Sequence, residues 1–446
     1  MKRIITLIIF LFAIILVPYA DAKSVKKDIS NVMEEFGIDS TSIAVSFKNA
    51  DNGKTVYALN DKMLMNPASV QKVLTTPVIV DTLGENYEFS TDVYSRDEDT
   101  FVIKLGADPY LTSKDMKDIV GALNPETKKL YIDDQALDSK MWGEGWQWDD
   151  DMNIHMPRFS SYNLDKNLIK LTVMPTKKGQ FATIINPSKY PLVFFNNVET
   201  ADKTDIKVHR DSAISENTLV LAGTVARATT IYIPTTNLKR YFNVQLTQAL
   251  ENRSLYMKEP VTVGNVEDSD VLKYSLTHDI ERAIMDVLKN SNNLVSETMF
   301  KLAGAKYMGI KTGTDAAGIK MFNDYCAKNK IDNSKIRITD ASGVSKNNLV
   351  TADFVSSFLL VNKDNKVMEK LPTPGEGTLV HRMIPIKNNL RAKTGTLSDI
   401  STIAGYLKTR SGKNYVFCIM INDMTLSASD KKMLEDFIIR EAYMNM

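Results

Sequence analysis

A serine and a lysine stand three positions apart in the segment NPASVQK, residues 66–72. Asn66 is a favourable helix N-cap and Pro67 a favourable first helical residue, so we expect a helix to begin here with Ser69 in its first turn. The backbone N–H of Ser69 would then lack an intrahelical acceptor and could stabilise an oxyanion. Lys72 would share a helix face with the Ser69 hydroxyl, and a partly desolvated amine can act as its base. The pair predicts a serine nucleophile, although an ordinary exposed helix gives the same spacing.

Two further short motifs follow along the chain. They are Ser291-x-Asn293 and Lys393-Thr394-Gly395. Each motif alone carries little weight. Together, Ser-x-x-Lys, Ser-x-Asn and Lys-Thr-Gly in this order are the set found in class A β-lactamases and penicillin-binding proteins. The three motifs therefore predict acyl transfer through a serine.

Hydrophobic periodicity predicts the elements that frame these motifs. The Ser69 helix should reach Leu83, before Gly84. Between about residues 90 and 265, short alternating runs separated by turn residues predict mostly strands. The other framing elements are strands at 42–47, 55–59, 401–407 and 415–421 and a helix at 429–443.

These elements predict an α+β fold, in which an antiparallel sheet with flanking helices is formed by both ends of the chain. We expect residues 23–90 and 265–446 to form this domain. Residues 91–264 would form a large inserted β-rich module of one or two domains.

The charge balance is nearly even, with 55 basic and 54 acidic residues in 446 and a net charge of +1. No concentrated basic stripe is present, which argues against a nucleic acid partner. The four histidines are scattered without metal-ligand spacing, so we predict no metal site. The two cysteines, Cys326 and Cys418, lie in apolar or helical runs and are expected to be buried thiols, although export would permit a disulfide.

The first residues have the pattern of a secretory signal. Lys2 and Arg3 precede an apolar run at 4–17 and small residues up to Ala22. We predict a signal peptide over residues 1–22, cleaved after Ala22, and an exported protein of the periplasm or cell envelope. An uncleaved anchor is the alternative, but no later segment approaches a membrane span, so the mature form should have none.

The chain as a whole resembles the class C, low-molecular-mass penicillin-binding proteins, the D-alanyl-D-alanine carboxypeptidase/endopeptidase family of the penicillin-binding protein four type. The resemblance runs from about Ile43 to Asn422 and includes the long insertion between the first and second motifs. Besides the three motifs, it rests on Gly106-Ala107-Asp108-Pro109, Gly145-Trp146-x-Trp148, the stretch from Asp340 to Asn347, Gly377-Thr378-Leu379 and Ala404-Gly405-Tyr406.

The resemblance implies a β-lactamase/penicillin-binding-protein-like fold and a role for each motif residue. Ser69 would attack the carbonyl of the penultimate D-Ala, with Lys72 as general base. The N–H groups of Ser69 and Thr396 would form the oxyanion hole. Ser291 would relay a proton to the leaving amine, and Asn293 would hold the substrate amide.

The third motif would bind the end of the substrate. Lys393 and Thr394 would meet the terminal carboxylate, and Lys393 would help to keep Lys72 neutral by charge repulsion. Gly395 would leave room for a substrate strand beside the sheet edge. A second Lys-Thr-Gly begins at Lys311, but it follows a helix and leads into another, so we expect Lys311 to be a loop residue. No metal or organic cofactor is implied.

Three more residues are candidates for recognising the stem-peptide side chain. Asp150 falls where the family would bind the amino end of a diaminopimelate side chain, although three adjacent aspartates are also typical of a solvated turn. Lys346 stands where the family commonly has Arg, and it could hold a carboxylate only as a point charge. Ser398 stands where a longer polar residue can occur.

The leading hypothesis is a periplasmic serine D-Ala-D-Ala carboxypeptidase, DD-endopeptidase or both, acting on peptidoglycan peptides and inhibited covalently by β-lactams. A β-lactamase-like hydrolase is the first alternative, but no glutamate is evidently placed to activate a deacylating water. A catalytically silent wall-binding protein that grips with the inserted module is the second.

Overall fold

The computed structural model describes residues 31–38 and 40–446. The predicted signal peptide and its cleavage site at Ala22 lie outside these ranges. Within them, no helix combines the length and the apolar composition that crossing a bilayer requires.

The strands and helices are numbered here in chain order. The strands are β1 (Ile43–Asn49), β2 (Thr55–Leu59), β3 (Glu88–Ser95), β4 (Thr100–Leu105), β5 (Lys129–Asp133), β6 (Leu168–Met174), β7 (Thr183–Ile185), β8 (Val193–Thr200), β9 (Asp205–Arg210), β10 (Thr218–Val225), β11 (Thr229–Pro234), β12 (Thr262–Val263), β13 (Val271–Asp279), β14 (Leu390–Leu397), β15 (Ile400–Lys408) and β16 (Asn414–Asn422). The helices are α1 (Gln71–Leu83), α2 (Met116–Gly121), α3 (Leu238–Asn252), α4 (Ile280–Lys289), α5 (Asn293–Met308), α6 (Asp315–Lys328), α7 (Ala352–Val361) and α8 (Ala428–Asn445).

A five-stranded antiparallel sheet joins the two ends of the described chain. Its strand order is β14-β15-β16-β1-β2, and β1 pairs with β16 so that Val45 lies opposite Ile419. Helix α8 packs on one face, where Leu434 and Ile438 meet the buried side chains of β1 and β16. Helices α1, α5 and α7 cover the other face. The predicted α+β fold, an antiparallel sheet with flanking helices, is confirmed.

Both faces of the sheet are covered, which explains why β16 is apolar along its length rather than alternating. Phe417, Ile419 and Ile421 point into the core beneath α8, whereas Val416, Cys418 and Met420 face the helices on the other side. Cys418 and Cys326 are both buried free thiols, as expected.

The middle of the chain forms three further sheets. Their orders are β12-β5-β4-β3-β13, β8-β10-β9 and β11-β6-β7, and they share a hydrophobic cluster with α2 and α3. Two neighbouring strands of the first of these, β3 and β13, start at Glu88 and end at Asp279, so this sheet extends past both predicted limits of the inserted module. The division into domains stays a prediction.

The orientation of side chains on the central sheet can be tested by making the same substitution, Val to Ala, at a buried and at an exposed position. Val45 on β1 is fully buried, whereas Val56 on β2 is 41% exposed. Val45→Ala should lower the free energy of unfolding by about 2 kcal/mol, because two buried methyl groups are lost, and Val56→Ala by less than about 0.5 kcal/mol. Urea denaturation followed by circular dichroism measures both changes. Equal losses would contradict the orientation of these strands.

Candidate active site

Ser69 lies in the tight turn that leads into α1. A 3₁₀ segment, Ala68–Val70, precedes the α-helix that starts at Gln71 and ends at Leu83, before Gly84. Asn66 shapes this start, because its Oδ1 accepts from the N–H of Ala68 at 2.9 Å while its Nδ2 donates to the Ser345 carbonyl at 2.9 Å. The predicted helix start is confirmed, with a 3₁₀ first turn that carries Ser69.

Lys72 joins the first motif to the second. Its Nζ donates to Ser69 Oγ at 3.0 Å and to Asn293 Oδ1 at 2.6 Å. A third bond, of 2.6 Å, goes to the backbone carbonyl of Ser342. The Lys72 side chain is completely buried, so these three acceptors replace the water that an exposed amine would have.

Burial lowers the pKa of Lys72 to about 7, against the nearby charges of Asp340 and Glu297, which act to raise it. A lysine in this range is partly neutral at neutral pH and can accept a proton. From the sequence, we expect Lys393 to contribute to the neutral state of Lys72. In the structure, burial is the dominant cause of the low pKa of Lys72. Burial, and then the charge of Lys72, hold the pKa of Lys393 well below its usual value.

The second motif lies in the connection from α4 to α5. Ser291 has a left-handed backbone, with φ of 61°, and its Oγ accepts from Lys393 Nζ at 2.9 Å. Asn293 is the first residue of α5, and its Nδ2 donates to the carbonyl of His155 at 2.8 Å. The amide is thereby oriented with its oxygen toward Lys72. The three motifs converge on one site, as their order predicted.

The third motif lies on β14, which is the edge strand of the central sheet. Lys393 is fully buried and also donates to the Thr394 carbonyl at 2.7 Å. The Thr394 hydroxyl donates to that of Thr378 at 2.7 Å. A Cβ on Gly395 would lie 2.7 Å from the Ser69 nitrogen, so only glycine lets the strand approach the nucleophile this closely. Thr396, one residue further, is exposed.

The second Lys-Thr-Gly segment, which begins at Lys311, has different surroundings. Lys311 is exposed in the loop after α5. Gly313 forms an isolated bridge with Leu137, and the Thr314 side chain caps α6 by accepting from the Ala317 N–H. The expectation that Lys311 is a loop residue is confirmed.

The three candidate specificity residues have different surroundings. Asp150 is partly exposed at the end of a 3₁₀ turn that starts at Trp148, and within residues 31–38 and 40–446 its carboxylate has no hydrogen-bonding partner. Lys346 pairs with Asp399 at 2.8 Å, so its charge is already balanced by a residue that the sequence argument did not consider. Ser398 is exposed in the turn between β14 and β15.

The stretch from Asp340 to Asn347 is part of the family resemblance, but the sequence predicts no role for the Asp340 side chain, which is a buried carboxylate. Asp340 accepts from the N–H groups of Gly343 and Ser345 at 2.9 and 2.6 Å. It also accepts from Asn348 Nδ2 at 2.7 Å and from the indole N–H of Trp146 at 2.8 Å. Asp340 therefore shapes the loop that carries Ser342, an acceptor for Lys72. The spacing of small and polar residues around a single Asp was the available signal.

Two other acidic residues, which the sequence does not single out, lie on helices and fix backbone segments of the site by accepting hydrogen bonds. Asp286 on α4 accepts from Asn292 Nδ2 at 2.7 Å and from Asn290 Nδ2 at 3.0 Å, which fixes the turn on both sides of Ser291. Glu297 on α5 accepts from the backbone of the Asp340 loop at Ser342, at 2.8 Å. The signal for Glu297 was its position four residues after Asn293, on the same helix face.

The close contact of the Asp340 loop with the Ser69 turn can be tested at a glycine. A Cβ on Gly343 would lie 1.8 Å from the Ala68 carbonyl oxygen, whereas one on Gly412, in the β15–β16 turn, would have nothing within 4 Å. Both glycines have a positive φ, +84° and +86°, so backbone strain is the same in both. Gly412→Ala should lower the free energy of unfolding by about 1 kcal/mol and Gly343→Ala by more than about 3 kcal/mol. Urea denaturation would refute the contact if the two losses were equal.

Known proteins share this architecture. The solved structure of penicillin binding protein 4 (dacB) from Haemophilus influenzae matches with a TM-score of 0.81 and 20% identity, covering 93% of this chain and 99% of that one. In sequence, the D-alanyl-D-alanine carboxypeptidase of Actinomadura sp. (strain R39) is 24% identical over 432 residues, which cover 87% of this chain and 79% of the relative. The D-alanyl-D-alanine carboxypeptidase DacB of Haemophilus influenzae is 23% identical over 431 residues, 86% of each chain. The D-Ala-D-Ala carboxypeptidase 3 (S13) family matches residues 25–441, and the chain belongs to this family of hydrolases, as the resemblance predicted.

Proposed function

We propose that this protein is a serine D-Ala-D-Ala carboxypeptidase and DD-endopeptidase that works through an acyl-enzyme on Ser69. The observation that carries the proposal is the position of Lys72 Nζ, which bonds both the Ser69 hydroxyl and the Asn293 side chain, at 3.0 and 2.6 Å. A hydroxyl next to a buried amine that is partly neutral at neutral pH is an activated nucleophile.

In acylation, Ser69 Oγ bonds to the carbonyl carbon of the penultimate D-Ala while Lys72 takes the hydroxyl proton. The N–H groups of Ser69 and Thr396 donate to the developing oxyanion. When the C–N bond breaks, Ser291 passes its hydroxyl proton to the leaving amine and takes a proton from Lys393, which donates to Ser291 Oγ at 2.9 Å. The proton that Lys72 took from Ser69 replaces the one that Lys393 gives up. Water then attacks the ester and gives a proton to Lys72, which passes it to Ser69 Oγ as the ester C–O bond breaks.

Substrate binding would use the open edge of the central sheet. The Ala392 N–H already donates to the Pro372 carbonyl at 3.0 Å, and the Thr394 carbonyl accepts from Lys393. A peptide lying along β14 would therefore pair with the remaining backbone groups of this edge, where Gly395 leaves it room close to Ser69. Asn293 would hold the peptide amide. The terminal carboxylate would meet Lys393 and the Thr394 hydroxyl, both of which lie on this strand.

The proposed substrates are the stem peptides and cross-links of peptidoglycan, with β-lactams as covalent inhibitors. The family membership supports the D-Ala-D-Ala bond as the target. A structure of the Haemophilus influenzae penicillin binding protein 4 in complex with a novel β-lactam, with a TM-score of 0.75 to this chain, supports the inhibitor class. Export to the periplasm or cell envelope, with cleavage after Ala22, would bring the enzyme to this substrate.

Selectivity for the stem-peptide side chain would rest on residues at the mouth of the site. The unpaired carboxylate of Asp150 suits an amino group. Lys346 would have to leave Asp399 to bind a carboxylate, which weakens its case, and exposed Ser398 offers one hydroxyl.

Ser69→Ala should abolish activity, because no other group replaces the nucleophile. The mature protein and this variant would be incubated with isolated muropeptides, and the products followed by mass spectrometry. We expect the wild type alone to remove one alanine or to split cross-linked dimers, and to be labelled covalently by a fluorescent penicillin. Labelling of Ser69→Ala would exclude Ser69 as the nucleophile.

The two Lys-Thr-Gly segments supply a matched pair of variants. Lys393→Ala should reduce penicillin labelling by at least about 100-fold, because it removes the buried amine that donates to Ser291 Oγ and would meet the substrate carboxylate. Lys311→Ala should leave the labelling rate unchanged, since Lys311 is exposed in a loop. The opposite pattern would mean that the third motif has been assigned to the wrong segment.

A further inference from the structure

The three bonds of Lys72 differ in one respect that matters for proton transfer. The Asn293 Oδ1 and the Ser342 carbonyl can only accept, whereas the Ser69 hydroxyl can accept or donate. As an ammonium, Lys72 donates to all three. As a neutral amine it keeps two N–H donors, which the two carbonyl oxygens occupy, and its lone pair is left facing Ser69. Loss of one proton therefore reverses only the Lys72–Ser69 bond and makes Lys72 the acceptor.

This selection depends on both carbonyl oxygens being held in place. The Asn293 amide is fixed by its Nδ2, which donates to the His155 carbonyl at 2.8 Å. The Ser342 carbonyl is fixed from behind by Glu297, whose Oε1 accepts from the Ser342 N–H at 2.8 Å and whose Oε2 accepts from the Ala341 N–H at 3.2 Å. Glu297 is 1% exposed and lies one helical turn after Asn293 on α5. One helix thus supports both acceptors.

We propose that Glu297 is a positioning residue for Lys72, which holds the Ser342 carbonyl in place as an acceptor for the amine. The proposal rests on the proposed function, in which Lys72 is the base for Ser69. It assigns a role in the reaction to a residue outside the three motifs.

The groups around Lys72 and Glu297 determine the direction in which the pKa of Lys72 should change. Lys72 on α1 faces Glu297 on α5, Asp340 in its loop and Lys393 on β14. Burial, and then the charges of Asp340 and Asp315, raise the pKa of Glu297 to about 8. On its own helix, the buried Lys301 is engaged by Asp138 and Asp315. Because a carbonyl oxygen that accepts from the ammonium favours its protonated form, loss of the Ser342 contact should lower the pKa of Lys72.

The test is the second-order rate constant for acylation by a fluorescent penicillin between pH 5 and 9, measured on the full mature chain. For the wild type, the rate should rise with pH as Lys72 loses its proton, through about pH 7. Glu297→Gln should lower the plateau on the order of 10- to 100-fold, since an amide NH₂ cannot accept from a backbone N–H. It should also move the acidic limb about one unit lower, because Lys72 loses an acceptor that favours its protonated form.

Two companion variants separate positioning from simple loss of structure. Glu297→Asp keeps a carboxylate but is too short to reach both amides, so it should lose rate and move the acidic limb in the same direction as Glu297→Gln. Glu435→Gln removes another fully buried glutamate, one that accepts from Ser401 at 2.7 Å and Arg382 at 2.8 Å. It should lower thermal stability without moving the acidic limb.

The proposed function and this proposal fail in different ways. A wild type that penicillin does not label through Ser69 would overturn the proposed function, and the role of Glu297 with it. If the wild type is labelled, a Glu297→Gln rate within twofold of wild type, or a slower rate with an unmoved acidic limb, would overturn the positioning role alone. If Glu297→Gln does not fold, Glu297→Asp decides the question. A Glu297→Asp acidic limb that stays at the wild-type pH would overturn the proposal.

Discussion

The constraint on which the rest of the structure depends is the burial of the Lys72 amine. An amine without water must find protein acceptors in the right directions, or its desolvation is not offset. Lys72 finds them on its own turn at Ser69, at the start of α5 and in the Asp340 loop. These segments are far apart in the sequence, so the site exists only when helix, loop and sheet are packed together.

The middle of the chain takes part in this packing. The Trp146 indole donates to Asp340, the Gly145 carbonyl accepts from the Lys346 N–H at 3.1 Å, and the His155 carbonyl accepts from Asn293. A segment between β5 and β6 therefore holds both the loop that positions Lys72 and the asparagine that bonds it. Trp148, in contrast, is 87% exposed and takes no part in this core.

Local patterns predicted the motif residues that the fold brings together, the sheet that supports them and the position of Lys393, rather than Lys311, beside Ser291. They did so because helix caps, strand alternation and motif spacing are encoded within short stretches. The contacts of Glu297 and Asp340, and the pairing of Lys346 with Asp399, join segments that only the folded chain brings together. The relative weight of burial and of repulsion by Lys393 in the pKa of Lys72 depends on the same long-range packing. The limits of β3 and β13 also depend on pairing between distant strands.

The pairing of β1 with β16 sets an order of events for the chain. The strand at Ile43–Asn49 is synthesised long before its partner at Asn414–Asn422. Until then, β1 is an apolar strand with an unpaired edge, which is prone to associate with other chains. Contacts of such long sequence separation also make folding slow. Ser69 and Lys72 are therefore synthesised long before the other two motifs can join them. A chain truncated before β16 would contain all three motifs but would lack the strand that joins β1 to β15 in the central sheet.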